Sequence, residues 1–205
     1  MWARWINDLL RRVPAWPLYP LGMLPFAVLA WQIAVGNLGP DPLKVIEHRL
    51  GDLGLQFLLA GLCVTPLRDL TGVVLIRYRR ALGLLCFAYA SLHLTTWVFL
   101  DLQLRWSEIG ADLTKRPYII LGMVGFAALV PLALTSNNLS VRKLGPLRWK
   151  KVQRLAYLAT FVIALHYLIL AKVWTVKPML YFAVAMLLLA LRVVNLRRNA
   201  PAAAR

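Results

Sequence analysis

Arg80-Ala-Leu-Gly-Leu-Leu-Cys-Phe-Ala-Tyr-Ala-Ser-Leu-His93-Leu-Thr-Thr-Trp97 is a long apolar run with one histidine inside it. A second run has the same plan: Arg154-Leu-Ala-Tyr-Leu-Ala-Thr-Phe-Val-Ile-Ala-Leu-His166-Tyr167. His93 follows Arg80 by 13 residues and His166 follows Arg154 by 12, so each histidine stands at nearly the same distance from the last arginine of a basic cluster. Runs of this length suit a hydrocarbon core ~30 Å thick, which takes about 20 helical residues to cross.

Working outward, the chain of 205 residues is 60% hydrophobic with mean hydropathy +0.66, more apolar than a soluble domain. Six runs are candidates for crossing: Pro17–Val35, Leu50–Leu67, Ala81–Leu100, Tyr118–Leu134, Leu155–Ala171 and Pro178–Val194. The weakest is Leu50–Leu67, which carries Asp52 and Gln56. The expected fold is all-α, a polytopic membrane bundle of six transmembrane helices with an N-terminal interfacial helix. Met1–Val13 supplies that helix: Trp2, Trp5, Ile6, Leu9, Leu10 and Val13 share one face, with Arg4, Asp8, Arg11 and Arg12 elsewhere. The division is residues 1–16 for the interfacial helix, 17–196 for the membrane domain and 197–205 for a basic disordered tail. The loop 101–116 has Trp106, Ile109 and Leu113 at helical spacing and is expected to hold a short surface helix.

The net charge of +16 divides unevenly. With the N-terminus in the cytoplasm, 17 of the 24 Lys and Arg residues face inward, and the balance is about +15 inside against +1 outside. Topology accounts for this charge, and nucleic acid is not needed as a partner. The chain is therefore placed in a membrane with both termini cytoplasmic. Cys63 and Cys86 form no CxxC pair and read as small buried thiols. There is no glycine-rich nucleotide fingerprint and no repeat of useful period.

The third and fifth spans run the same way, so similar offsets put both histidines at similar depth, roughly 18 Å from the cytoplasmic end. Intramembrane ionisable residues are costly and mark function, while a structural or proton-handling pair is the alternative to ligation. No carboxylate or cysteine lies at that depth on these helices, so zinc would lack its usual four ligands. Haem brings four nitrogens of its own and needs two axial ligands; two histidines leave no open position, which favours electron transfer. Gly83, Cys86, Ala90 and Trp97 share the His93 face, and Ala156, Ala159 and Ile163 that of His166. Small residues there make room for either a close helix or a flat macrocycle. His48 stands at the outer interface, solvated or paired with Asp52. The inner connection with Arg142, Lys143, Arg148, Lys150 and Lys151 is a topology anchor or an attractor of phosphate or an acidic protein.

Several motifs, in order, resemble the MsrQ (YedZ) family of haem-binding membrane subunits within the ferric-reductase-like transmembrane superfamily. They are Leu38-Gly-Pro-Asp-Pro42 with Lys44 and Glu47-His48, Arg79-Arg80-x-Leu-Gly83 leading to Leu92-His93, Lys115-Arg-Pro-Tyr118, Thr135-Ser-Asn-Asn138, and His166-Tyr167 followed by Lys172. The resemblance implies six helices carrying b-type haem, with His93 and His166 as axial ligands and His48 as a candidate accessory residue on the haem side. It implies an electron-transfer subunit with no substrate-reducing centre of its own. Electrons would come from a cytoplasmic flavin reductase or the quinol pool and go to MsrP, a periplasmic molybdenum enzyme that repairs oxidised methionine. FMN also comes with the resemblance, and the five basic residues from Arg142 to Lys151 are the candidates for its phosphate. One position departs: where the family has histidine at the start of the fifth span, this chain has Gln153, and the matching position in the third span is Arg80. Neither is a normal haem ligand, so one haem is expected per chain. The competing readings are a ferric-reductase-like or quinone-linked cytochrome b with another acceptor, and, from a different class, a cofactor-free transporter or scaffold.

Overall fold

The computed structural model describes residues 2–171 and 175–198, with side chains as far as 194. Lys172 and residues 199–205 of the expected tail lie outside the described residues, while the first two residues of that stretch, 197 and 198, end the last helix. Every described element is helical: α1 (Trp2–Arg12), α2 (Leu18–Ala34), α3 (Pro42–Thr71), α4 (Arg79–Thr95), α5 (Trp106–Lys115), α6 (Pro117–Leu134), α7 (Asn138–Gln153), α8 (Leu155–Leu170) and α9 (Val176–Arg198). A 3₁₀ turn, Ile76–Tyr78, leads into α4, and a π-helical stretch, Thr96–Asp101, follows it. Five helical stretches are long and apolar enough to cross a membrane: Pro42–Thr71, Ile76–Asp101, Pro117–Leu134, Asn138–Leu170 and Val176–Val194. The apolar α2 is shorter, at 17 residues.

The run that reads as weakest lies inside the longest helix among the described residues, 30 residues. Its polar residues are taken up by neighbours: Asp52 pairs with Lys177 of α9, and Gln56 Nε2 donates to Tyr181 Oη at 2.8 Å. Both ends of α3 are written locally. Asp41 accepts from the Lys44 amide and Pro42 sits at N1, where its missing N–H costs nothing. Those Lys44 contacts also hold the Asp41 carboxyl below the usual carboxylate range. Gly72 closes the other end with φ 76°, in the left-handed region that favours glycine.

The connection from α3 to α4 is tied down by α1. Asn7 Nδ2 donates to the Gly72 carbonyl at 2.9 Å, and the Val74 amide donates back to Asn7 Oδ1 at 2.8 Å. Arg77 and Tyr78 donate to carbonyls at the C-terminal end of α1 and just beyond it, so that end finds its hydrogen-bond donors on the turn. Among the described residues, helix α2 is hydrogen-bonded to α4 through one side chain, beside the packing of Leu85 on Gly22. Fully buried Tyr89 donates to the Gly22 carbonyl at 2.7 Å and accepts from the Phe26 amide at 3.2 Å, so its hydroxyl is inserted into an i to i−4 step of α2. Beyond α4 the expected surface helix is present as α5. The basic connection expected as a loop is also helical, as α7: Asn137 Oδ1 caps it by accepting from the Ser140 amide at 2.7 Å, and Gly145 at φ 73° breaks it in two.

The main core lies where α3, α4, α6, α8 and α9 meet, around Leu58, Leu62, Cys86, Leu129, Ala159 and Ala185. Cys86 is buried and Cys63 half-buried, and both are free.

Candidate haem site

Helices α3 and α4 cross closely because glycine and small residues meet along the seam. A Cβ on Gly61 would approach Leu82, one on Gly54 would approach Ala90 and Tyr89, and one on Gly51 would approach His93. Rising numbers on one helix meet falling numbers on the other, so the pair is antiparallel. Helices α6 and α8 repeat the arrangement: Gly125 faces Ile163 and Val162, and Gly122 faces His166. The small residues beside His93 therefore serve close helix packing, since Cys86 and Ala90 lie against Gly54.

Each histidine reaches across its seam to a backbone carbonyl. His93 Nδ1 lies 2.9 Å from the Glu47 carbonyl oxygen of α3, and His166 Nδ1 lies 2.6 Å from the Tyr118 carbonyl oxygen of α6. A carbonyl can only accept, so Nδ1 carries the proton in both rings and donates it. That leaves the lone pair on Nε2, the tautomer in which a histidine binds a metal while its other nitrogen is held by an outer partner.

The two rings also share a depth. Phe87 of α4 stacks on Phe126 of α6, with centroids 5.6 Å apart, which gives a common level. His93 lies six residues beyond Phe87, about 9 Å by the helical rise, while Gly122, which faces His166, is four residues from Phe126, about 6 Å on the same side. Among the described residues α4 and α8 make no extensive contact, while each packs against its own partner, α3 or α6. Both histidines are half-buried. No three His, Cys, Asp or Glu side chains converge among the described residues to hold a bare metal ion. Two neutral imidazoles with free Nε2 atoms at one depth, on helices that stand apart, fit the axial ligation of a haem and do not fit a zinc site.

The other residues singled out in the sequence fall elsewhere. His48 is exposed beside Asp41, Lys44 and Arg49, and Asp52 has gone to Lys177 instead. Arg142, Lys143, Arg148, Lys150 and Lys151 are all exposed along α7, on both sides of the Gly145 break. Gln153 is half-buried and serves the fold, because its Nε2 donates to Thr135 Oγ1 at 3.2 Å and braces the end of α6, where the Trp149 indole also donates to the Thr135 carbonyl at 2.9 Å. Arg80 donates to Asn138 Oδ1 at 3.0 Å.

Sequence reasoning missed the seats of the histidines: the carbonyls of Glu47 and Tyr118, and the glycines one turn later. A signal was present. Glu47 to Tyr118, Gly51 to Gly122 and Gly54 to Gly125 are each separated by the same 71 residues, so the chain contains two units built alike although no repeat of useful period is legible across its length.

Residues 49–164 match the family described as ferric reductase like transmembrane component. The chain is 48% identical over 189 residues to proteins of Brucella ovis, Brucella canis and Brucella melitensis, covering 91% of this chain and 86% of each relative. Those relatives are named protein-methionine-sulfoxide reductase heme-binding subunit MsrQ. No solved structure matches the chain.

Proposed function

The chain belongs to the MsrQ family of haem-binding subunits, among the ferric-reductase-like transmembrane components, and on that premise we propose that it holds one b-type haem between His93 and His166 and relays electrons across a bacterial inner membrane. The acceptor in this reading is a periplasmic MsrP-type molybdoenzyme, where oxidised methionine is reduced; the donor is a cytoplasmic flavin reductase or the quinol pool. The haem, when bound, supplies a one-electron carrier. The chain's own residues do the rest: the Glu47 and Tyr118 carbonyls orient the two imidazoles, and His93 and His166 together would occupy the iron and keep oxygen and substrate from it. The observation that carries this reading is the matched pair of Nδ1 to carbonyl bonds at one depth.

Six crossings are proposed, α2 included, with α1 lying on the cytoplasmic leaflet. Its exposed Trp2 and Trp5 and its bonds to the α3–α4 turn support that placement, as does the charge of about +15 inside against +1 outside. A reporter fused at Arg205 then works only in the cytoplasm; strong alkaline phosphatase activity there would reverse the orientation.

One haem per chain is supported by Gln153 and Arg80, which are occupied in bracing the turn around Thr135 and Asn138. Crossing the inner half of the membrane then needs a further carrier, and the reading assigns it to FMN, its phosphate held by exposed cations among Arg142, Lys143, Arg148, Lys150 and Lys151. His48 remains an accessory group on the haem side. The purified protein is expected to show a Soret band that shifts on reduction, with haem iron and chain in a ratio near one and FMN extractable. Absence of the band removes the haem reading, and a ratio near two removes the single-haem claim. Reconstitution with an MsrP-type enzyme tests the acceptor: reduced protein should reoxidise when that enzyme and a methionine sulfoxide substrate are added.

A further inference from the structure

The two histidine seats are built alike but differ in fit. A Cβ on Gly122 would lie 3.1 Å from both Cε1 and Nδ1 of His166, inside the ordinary contact distance of about 3.5–4.0 Å. A Cβ on Gly51 would lie 3.4 Å from Nδ1 and 3.5 Å from Cε1 of His93, which is ordinary contact. The hydrogen bonds follow the same order, 2.6 Å for His166 and 2.9 Å for His93. Close helix packing does not explain Gly122 by itself, because Gly125 meets the side chains of Ile163 and Val162 and so takes the crossing, while the three atoms nearest a Cβ on Gly122 all belong to the His166 imidazole.

We propose that Gly122 is a positioning residue: its missing side chain seats His166 on the Tyr118 carbonyl, and this seat, more than the looser one at Gly51, tunes the electron density that the ligand pair offers to haem iron. The inference rests on ligation by His93 and His166. A methyl at 122 pushes the ring away from α6 and lengthens the Nδ1–H to carbonyl bond. A weaker bond makes Nε2 a poorer donor, so the ferric state loses more stabilisation than the ferrous and the midpoint potential rises. The same methyl at 51 displaces nothing.

The test uses the purified haem protein and its variants, read by optical redox titration and by the rate of haem transfer to apomyoglobin. Gly122→Ala should retain its spectrum as a two-histidine haem, with a raised potential and haem transfer faster by about tenfold, the low end of what loss of an outer partner costs in metal affinity. Gly51→Ala should shift both by less than Gly122→Ala does, its Cβ lying at ordinary contact from the His93 ring. Gly125→Ala should lower thermal stability and leave the potential in place, a separation that a merely structural role for Gly122 would not produce. Parent potential and transfer rate in Gly122→Ala overturn the proposal, as does an equal shift in Gly51→Ala or Gly125→Ala. If Gly122→Ala does not assemble, Gly51→Val carries the test on the other pair, where added methyls reach the His93 ring: a raised potential supports the proposal and an unchanged one defeats it. Ligation fails separately, if His93→Ala or His166→Ala keeps its haem.

Discussion

The α3–α4 pair and the α6–α8 pair solve the same problem with different supports. In each, a glycine seam brings a histidine to a carbonyl on the antiparallel neighbour, across 46 residues of sequence in one case and 48 in the other. The α3–α4 seam is the looser, and it has a third helix behind it, since Tyr89 is inserted into α2. The α6–α8 seam is the tighter: a Cβ on Gly125 would stand 2.5 Å from Ile163 Cγ1, and one on Gly54 no closer than 3.6 Å to any neighbour. Beyond the histidines the pairs differ again, as α4 continues into a π-helical stretch while α8 stops at Leu170. A π segment within a turn of a functional side chain is a common way of re-aiming it. One histidine is thus held by a braced helix and the other by close fit.

The comparison can be broken most directly at the histidines. On the proposed ligation, His93→Ala and His166→Ala should each cut bound haem by about tenfold or more, because either would remove one of the two imidazoles that hold it. Haem per chain in the purified variants checks this, and retention in one variant alone would show that the two pairs are not equivalent. The next effect is on packing. Gly125→Ala should destabilise the protein by about 1–3 kcal/mol, since Ile163 is β-branched and stiff in a helix and cannot turn aside, whereas the methyl of Gly54→Ala finds ordinary contacts and should leave stability within about 0.5 kcal/mol of the parent. Thermal unfolding of the two variants side by side reads the difference; equal losses would erase the distinction between loose and tight seams. The smallest effect is expected from Tyr89→Phe, about 1 kcal/mol, because the Gly22 carbonyl and the Phe26 amide it releases are an i and i−4 pair that can close on each other. Unfolding of that variant with α2 still protected from proteolysis is the expected result, and early cleavage in α2 would assign Tyr89 a larger share of the bracing.

Much of the helical frame was legible because its causes are local. The apolar runs, the amphipathic N-terminal stretch and the spacing of Trp106, Ile109 and Leu113 each lie within the helices they produce. Elsewhere a distant partner changes the sense of a residue. Asp52 and Gln56 weaken the second run on paper, yet Lys177 and Tyr181, 125 residues away, absorb both. The basic stretch after Thr135 reads as loop because its cations and Gly145 hide a capped helix.

The sequence by itself determined that the chain is helical and apolar enough to cross a membrane repeatedly, that its charge is lopsided, and that two histidines stand at matching offsets from basic clusters. Length, hydropathy and helical rise suffice for those statements, since each depends on neighbours along the chain. Only the tertiary structure decided which nitrogen of each imidazole is left for a metal, because that depends on the carbonyl it meets on another helix. It decided too that Gly51 and Gly122 are the floors on which those rings rest, and that Gln153 braces Thr135. Such choices are made by how antiparallel helices cross, and the crossing is set by many contacts at once between residues that the sequence keeps far apart.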